Sequence, residues 1–146
     1  MKKQIYSLLI ILLFFFLVGC KKEENNNKVN NSNEVIETVK AIINEKEYII
    51  NLEDNETAKR FVNLLPQELN MSELNGNEKY IYLDNSLPIN SFNPKIINTG
   101  DLMLYGNDCL VLFYKSFSTS YSYTKIGHID NLPDLGSNNI IVKFEK

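Results

Sequence analysis

Short runs in which apolar and polar residues alternate dominate this chain from residue 37 onward. The stretches 37–43, 48–52 and 140–145 follow this two-residue period, and polar or turn-forming residues separate the neighbouring runs. Such alternation is typical of strands that bury one face, whereas a helix requires a period near 3.6 residues. The sequence therefore predicts seven or eight short strands.

One segment has the helical period instead. Its apolar residues recur at the spacing of a single helical face, at Ala58, Phe61, Val62 and Leu65. Asp54 or Asn55 can cap the first turn, and Pro66 prevents the helix from continuing. We expect this to be the one main helix of the chain after residue 34.

The strongest hairpin signal lies at 101–114. The run 101–105 turns at Gly106-Asn107-Asp108 into 109–114, which is apolar on both faces, as expected of a strand covered on both sides. The preceding residues, 84–98, are rich in asparagine and proline and predict a long surface loop. Together these elements predict a mainly β fold: a small closed antiparallel β-barrel with one α-helix closing one end.

The N-terminus has a different character. Lys2 and Lys3 precede an apolar run of about 14 residues, shorter than the roughly 20 that a spanning helix needs. A basic start, an apolar stretch and a small residue before the break predict a signal peptide at 1–19. The Leu-Val-Gly-Cys ending resembles a bacterial lipoprotein signal. That resemblance implies cleavage before Cys20 and lipid attached to Cys20.

Residues 20–34 follow as a predicted lipid-anchored, flexible tether. The stretch 21–34 holds six asparagines and almost no apolar side chains, so it cannot bury enough surface to offset its ordering entropy. The globular domain is then expected at 35–146, a length sufficient for one core. We expect the protein to be exported and anchored to the cell membrane of a bacterial envelope, with the membrane as its partner through Cys20.

The charge of the chain narrows the choice of partners. All 18 acidic residues follow Cys20, against 13 of the 15 basic residues, so the processed chain carries about −5. An acidic domain without a basic stripe argues against nucleic acid as a partner. If Cys20 carries lipid, Cys109 is left without a partner, and its apolar setting predicts a buried, inert thiol.

Motifs for catalysis or cofactor binding are missing from the sequence. It contains no phosphate-binding glycine loop, no Cys-x-x-Cys and no Gly-x-Ser-x-Gly, and His128 is its single histidine. We therefore predict no catalytic residues, no metal site and no cofactor. Asp101 follows Thr99-Gly100 and is expected to accept backbone hydrogen bonds from the preceding loop.

An aromatic and serine-rich segment at 116–124 is the most unusual part of the predicted domain. In an extended chain Phe117, Tyr121 and Tyr123 would share one side, opposite the serines. They form either a recognition surface or a structural strand, since tyrosine and serine supply contact area and hydrogen bonds at low entropic cost. The candidate ligand-binding residues are Tyr105, Ser118, Tyr121 and Tyr123, and Tyr80 and Tyr82 could complete a groove.

Three stretches together resemble a known family. They are 56–66 (ETAKRFVNLLP), 99–115 (TGDLMLYGNDCLVLFYK) and 118–127 (STSYSYTKIG). They are similar to the bacterial cyclophilin-like domain family, often found on lipoproteins, over roughly residues 37–145. The resemblance implies a closed antiparallel barrel, in agreement with the strand pattern.

The same resemblance raises the question of prolyl isomerase activity. True cyclophilins carry a catalytic arginine on a barrel strand after a Phe-His pair, beside an aromatic proline pocket. This chain has no Phe-His pair, and its one arginine, Arg60, falls on the predicted helix. The expected function is a membrane-anchored, non-catalytic module that binds a peptide or small molecule. The alternatives are a weak peptidyl-prolyl isomerase for exported proteins, and a scaffold component of an envelope assembly.

Overall fold

The computed structural model of the protein describes residues 37–146. The predicted signal peptide at 1–19, the lipidation site Cys20 and the tether at 20–34 lie outside the described residues. No helix in the described part is long and apolar enough to cross a membrane.

Ten strands and one helix are present in the described chain. In order, they are β1 (Thr38–Ile43), β2 (Lys46–Leu52), α1 (Glu56–Asn63), β3 (Gln67–Leu74), β4 (Glu78–Tyr82), β5 (Ile96–Ile97), β6 (Asp101–Tyr105), β7 (Cys109–Phe113), β8 (Phe117–Ser118), β9 (Thr124–Ile129) and β10 (Ile140–Glu145). Eight of the strands close a barrel in the order β1-β10-β3-β4-β7-β6-β9-β2, and β5 pairs with β8 in a separate ribbon. The predicted mainly β fold, a closed antiparallel barrel with one helix, is confirmed.

Local turns join most neighbouring strands, and distant pairings close the barrel. The β1–β2 hairpin turns at Asn44 and Glu45, whose φ angles of 49° and 64° match the twist of a tight hairpin. Closure then depends on pairs such as Ala41 with Phe144 and Ile50 with Ile129. Because these pairs are far apart in sequence, local patterning does not reveal them.

The barrel interior holds the main hydrophobic core. On each strand every second side chain points inward, as the period of the sequence predicts. Members with no measurable exposure are Ala41, Ile50, Met71, Leu102, Leu104, Leu110, Leu112, Ile126, Val142 and Phe144. A core of this size, filled by aliphatic residues from all around the barrel, accounts for the stability of a domain in which no disulfide joins the described residues.

The helix packs its apolar face into the same core. Ala58, Phe61 and Val62 are buried, and the Phe61 ring meets Phe144 edge-on at a centroid distance of 5.4 Å. Asn55 caps the first turn, because its side-chain oxygen accepts a hydrogen bond from the Ala58 N–H at 2.8 Å. The same Asn55 side chain donates to the Lys125 carbonyl at 2.8 Å, which fastens the start of α1 to β9.

A second, smaller core lies on the outer surface of the barrel wall. Outward-pointing side chains of β6 and β7 meet residues from the surrounding loops there, and we call this group the outer core: Ile97, Met103, Cys109, Val111, Phe113 and Tyr123, with Tyr80 and Phe117 packed against it. The alternation of β7 explains its composition, since Leu110 and Leu112 fill the barrel interior while Cys109, Val111 and Phe113 fill the outer core. The prediction that this strand is covered on both faces is confirmed.

The aromatic and serine-rich segment at 116–124 is a strand only in part. Only Phe117 and Ser118 are strand, in β8, and the chain then bends where the Tyr121 N–H donates to the Thr119 hydroxyl at 3.1 Å. Tyr123 forms an isolated bridge with Phe92 from the predicted 84–98 loop. The segment is therefore not one continuous strand, and it bends over the outer core although it contains no glycine or proline.

Candidate functional site

A cleft of about 320 Å³ opens on the outer surface of the barrel wall, next to the outer core. Five of its ten lining residues are tyrosines, and we call it the tyrosine cleft. Its lining residues are Leu74, Asn75, Glu78, Tyr80, Tyr82, Tyr105, Cys109, Val111, Tyr121 and Tyr123. Small-molecule sites commonly occupy about 300–1,000 Å³, so the cleft is large enough for a small ligand or a single side chain.

Strand β4 supplies one wall of the tyrosine cleft. Glu78, Tyr80 and Tyr82 alternate with inward-facing residues and therefore share the outer face of the strand. The rings of Tyr80 and Tyr82 are nearly perpendicular, at 86°, with centroids 6.1 Å apart. Edge-to-face packing of this kind stabilises both rings in their positions.

The opposite wall comes from β6 and from the bent segment after β8. The Tyr105 ring, at the end of β6, lies 6.0 Å from Tyr121 and 5.6 Å from Tyr123 between centroids. Tyr123 also meets Phe113 at 5.5 Å and 89°, which ties this wall to the outer core. The bend of the 116–124 segment thus brings Tyr121 and Tyr123 against a strand tyrosine that is more than fifteen positions away in the sequence.

The five rings differ in their contact with solvent. Tyr123 is only 6% exposed, whereas Tyr82, Tyr105 and Tyr121 are exposed to 65%, 45% and 61%. Burial, followed by the charge of Glu78, raises the pKa of Tyr123 above its ordinary value. The cleft therefore has one fixed, buried ring and a rim of accessible tyrosines.

Glu78 is the one carboxylate among the lining residues. The residue is 9% exposed, and no described residue donates a hydrogen bond or an ion-pair contact to its side chain. Burial, with a smaller contribution from the charge of Glu73, raises the pKa of Glu78 above its ordinary value. A largely buried acidic residue that lines a cleft and has a raised pKa marks this position as a candidate site.

Cys109 contributes a buried thiol to the lining of the cleft. Burial, followed by the charges of Asp108 and Glu78, raises the pKa of its thiol to about 11. The thiol is thus protonated at neutral pH, and only the thiolate is a good nucleophile. The predicted burial of Cys109 is confirmed.

The structure brings together most of the residues that the sequence suggested. Tyr105, Tyr121 and Tyr123 line the cleft, and Tyr80 and Tyr82 join them from β4. Ser118 does not line the cleft, because it lies exposed in the short ribbon of β5 and β8.

Sequence reasoning missed Glu78. The available signal was its spacing, since an acid two and four residues before two tyrosines shares their strand face.

Asp101 has the structural role that the sequence predicted. Its Oδ2 accepts a hydrogen bond from the Asn98 N–H at 2.9 Å, which closes the end of the long loop. Its Oδ1 lies 3.0 Å from His128 Nδ1 and 3.4 Å from Lys125 Nζ. The other ring nitrogen of His128 faces Asp130 at 3.5 Å, so among the described residues no hydroxyl nucleophile is paired with this histidine.

No cation lines the tyrosine cleft among the described residues. Arg60 lies on the exposed face of α1 and does not line the cleft. Within residues 37–146, no group of three or more histidine, cysteine or acidic side chains is placed to hold a metal ion. The chemistry that the cleft offers is aromatic contact, phenol hydrogen bonding and one negative charge.

Comparison with known proteins agrees with this architecture. A family model described as the cyclophilin-like family matches residues 41–145, which include nearly the whole barrel and the tyrosine cleft. No curated protein and no solved structure gave a significant match to the chain. The matched region covers more than half of the chain and coincides with a closed antiparallel barrel of eight strands. The chain therefore belongs to the cyclophilin-like family.

Proposed function

We propose that this protein is a bacterial lipoprotein that displays a cyclophilin-like domain as a binding module at the membrane surface. The support for anchoring lies in the sequence: a basic start, a short apolar run and Gly19-Cys20. Lipid on Cys20 would hold the domain at the membrane of the envelope through the polar tether at 20–34.

The anchoring proposal is tested on the protein purified from bacterial membranes. Mass spectrometry of the N-terminal peptide is expected to show a chain that begins at Cys20 and carries acyl groups. A Cys20→Ser variant is expected to remain unprocessed and without lipid. An unmodified thiol at Cys20 in the wild-type protein would contradict the proposal.

The binding role rests on one observation: five tyrosines from two strands and one bent segment line the same cleft. Exposed tyrosines supply rigid, amphipathic contact area at low entropic cost. The cleft is concave and partly apolar, and its polar groups converge, as is usual for sites that take small molecules or peptide side chains. We infer that the ligand is a peptide or a small molecule.

Tyrosine fluorine NMR tests the binding role directly. Of the seven tyrosines in the described residues, five line the cleft, while Tyr48 and Tyr114 do not and serve as internal references. The full chain, labelled with 3-fluorotyrosine and held in non-ionic detergent, is titrated with peptide and metabolite pools. A binding module is expected to show shifts confined to the cleft signals. If no pool moves any of the five signals, the binding role is wrong.

The weak isomerase remains the alternative function. An aromatic cleft can remove water from an X-Pro bond, whose rotation barrier is roughly 18–20 kcal/mol. The charge in this cleft is the opposite of a guanidinium, however, because Glu78 is the one carboxylic acid that lines it and Arg60 lies on the helix. In a protease-coupled assay on a proline peptide, we expect the rate to equal that of buffer alone.

A further inference from the structure

We propose that the tyrosine cleft binds an organic cation, an alkylammonium group that stacks on the tyrosine rings and pairs with the Glu78 carboxylate. This inference rests on the binding role proposed above and specifies its ligand chemistry. It starts from Glu78: the residue is 9% exposed and lines an open cleft, and no hydrogen bond or ion pair joins its carboxylate to another described residue.

Two other acids of the barrel have the cationic partner that Glu78 lacks. Glu73, across the β3–β4 hairpin, bonds to the Lys79 ammonium and accepts a hydrogen bond from the Tyr114 hydroxyl at 2.8 Å. Asp101 has His128 and Lys125 within 3.0 and 3.4 Å. Among these three acids, Glu78 alone lines the cleft and lacks a cation.

The charge of Glu78 affects the pKa values of two other residues that line the cleft. Its negative charge contributes to the raised pKa of both Tyr123 and the Cys109 thiol, so the carboxylate acts on the space between them. A bound cation would balance that charge in surroundings where water is partly excluded. Such pairs interact more strongly than exposed ones, because the effective dielectric constant is lower.

The geometry of the rings suits an alkylammonium rather than a bare ion. Tyr80 with Tyr82, and Tyr105 with Tyr121, are each within 5° of perpendicular, so ring faces point in several directions around the cleft. Aromatic faces attract cations through the ring quadrupole, and sets of such rings recognise quaternary ammonium groups. A metal ion would instead need several oxygen or nitrogen ligands, and the lining offers one carboxylate.

The chemistry also disfavours other ligand classes. An anion would be repelled by Glu78 and would find no lysine or arginine among the lining residues. A neutral apolar group would occupy the rings but leave the buried carboxylate desolvated and unpaired. The combination of π faces and one negative charge therefore selects for positive charge on a soft, weakly hydrated group.

The test compares two probes of nearly equal shape on the fluorotyrosine-labelled full chain. Choline carries a trimethylammonium group, and 3,3-dimethylbutan-1-ol replaces that group with a neutral tert-butyl group. We expect choline to shift the five cleft signals at millimolar concentration and to bind at least about tenfold more tightly than the neutral probe. Tyr48 and Tyr114 should not move.

A matched pair of variants isolates the carboxylate. Glu78→Gln keeps the shape and removes the charge, and it is expected to weaken choline binding by about tenfold or more while leaving the neutral probe unchanged. Glu68→Gln makes the same chemical change at an exposed position on β3 and is expected to have no effect. Unshifted Tyr48 and Tyr114 signals in the free Glu78→Gln protein show that the fold is intact.

The outcomes separate this inference from the proposed function. If both probes bind equally, or if Glu78→Gln leaves choline binding unchanged, the cleft binds ligands but does not select cations, and the inference is wrong. If choline moves no cleft signal while a metabolite or peptide pool does, the inference fails and the binding role stands. If neither moves a cleft signal, both fail.

A third probe identifies the source of the cation. A short peptide containing trimethyl-lysine presents the same head group on a backbone. Tighter binding of this peptide than of choline, by about tenfold, would indicate a cationic side chain of a protein as the ligand. Equal binding would indicate a free small molecule, and either result supports the cation site.

Discussion

Lys79 places its ammonium against the Glu73 carboxylate at the β3–β4 hairpin, with no exposure of the lysine side chain. The same ammonium donates to the carbonyls of Gly136 and Asn138 at 2.5 and 2.7 Å and lies 4.7 Å from the centre of the Tyr114 ring. One buried lysine thus connects the hairpin to the loop that precedes β10. The three N–H groups of the ammonium are thus matched by three acceptors.

Lys79→Met tests this connection. The substitution keeps the apolar length of the side chain but removes the ammonium donor from Glu73 and from the two loop carbonyls. Removing one partner of a buried ion pair commonly costs about 3–5 kcal/mol, and we expect the free energy of unfolding to fall by that amount. Urea denaturation measures it. Lys46→Met, at an exposed lysine on β2, provides the control and should change little.

A second prediction concerns Gly100, whose backbone passes close to the carbonyl of Ile129. Its φ of +96° is unfavourable for other residues, and a Cβ there would lie 2.0 Å from the carbonyl oxygen of Ile129. Gly100→Ala is expected to lower the free energy of unfolding by at least about 2 kcal/mol, because strain and a backbone clash combine.

Gly106 serves as the matched control for this test. It also has a positive φ, of +63°, but nothing lies within 4 Å of the point that a Cβ would occupy there. Gly106→Ala is expected to cost only about 1 kcal/mol, from conformation alone. Equal losses in the two variants would contradict the role of the close approach at Gly100.

The cap of α1 gives a third prediction. Asn55→Ala removes both the bond to the Ala58 N–H and the bond to the Lys125 carbonyl. We expect a loss of about 1–2 kcal/mol in thermal or urea unfolding. Asp54→Ala changes the preceding, highly exposed residue and should leave stability nearly unchanged. The sequence left both positions open as caps, and the two variants distinguish them.

Glu78 predicts a particular dependence of stability on pH. Burial raises its pKa, so the folded protein holds this proton more tightly than the unfolded chain, whose glutamate has a pKa of about 4.3. The resulting stabilisation is complete below the unfolded pKa and is lost as pH rises through the folded pKa. As pH rises above the unfolded pKa, wild type should therefore lose stability relative to Glu78→Gln, which has no carboxyl proton to release.

Urea unfolding of both proteins at a series of pH values from about 4 upward measures how their difference in stability changes with pH. Glu73 acts in the opposite direction, because its pKa is lowered: burial opposes the shift, but the hydrogen bonds from Lys79, Tyr114 and Gly76 outweigh it. Because Glu73 is present in both wild type and Glu78→Gln, the comparison of the two proteins removes its contribution to the pH dependence of stability. A wild-type protein that gains stability relative to the variant as pH rises would contradict the assignment.

Cys109 gives a prediction about reactivity. With its thiol pKa raised to about 11, the folded protein should react with iodoacetamide far more slowly at neutral pH than the urea-unfolded chain. Mass spectrometry of a Cys20→Ser variant isolates this thiol. Equal rates in the folded and unfolded protein would show that the thiol is not shielded.

Local features of the fold could be predicted from the sequence. The helix at Glu56–Asn63 and the hairpin at 101–114 depend on contacts between neighbours, which leave a period and a turn signal in the sequence. The bend within 116–124 left none, because it arises from packing on the outer core. Glu78 was missed for a related reason: an acid at a strand start has the same pattern whether it faces water or a cleft.

The barrel and the cleft rest on different sets of side chains. Inward residues such as Leu110 and Leu112 hold the wall together, while Tyr82 and Tyr121 stand largely in solvent on its outer side. Replacing those rim rings removes little buried area, so it should alter what the protein recognises without endangering its folding. Evolution can therefore diversify ligand preference on this scaffold one surface residue at a time.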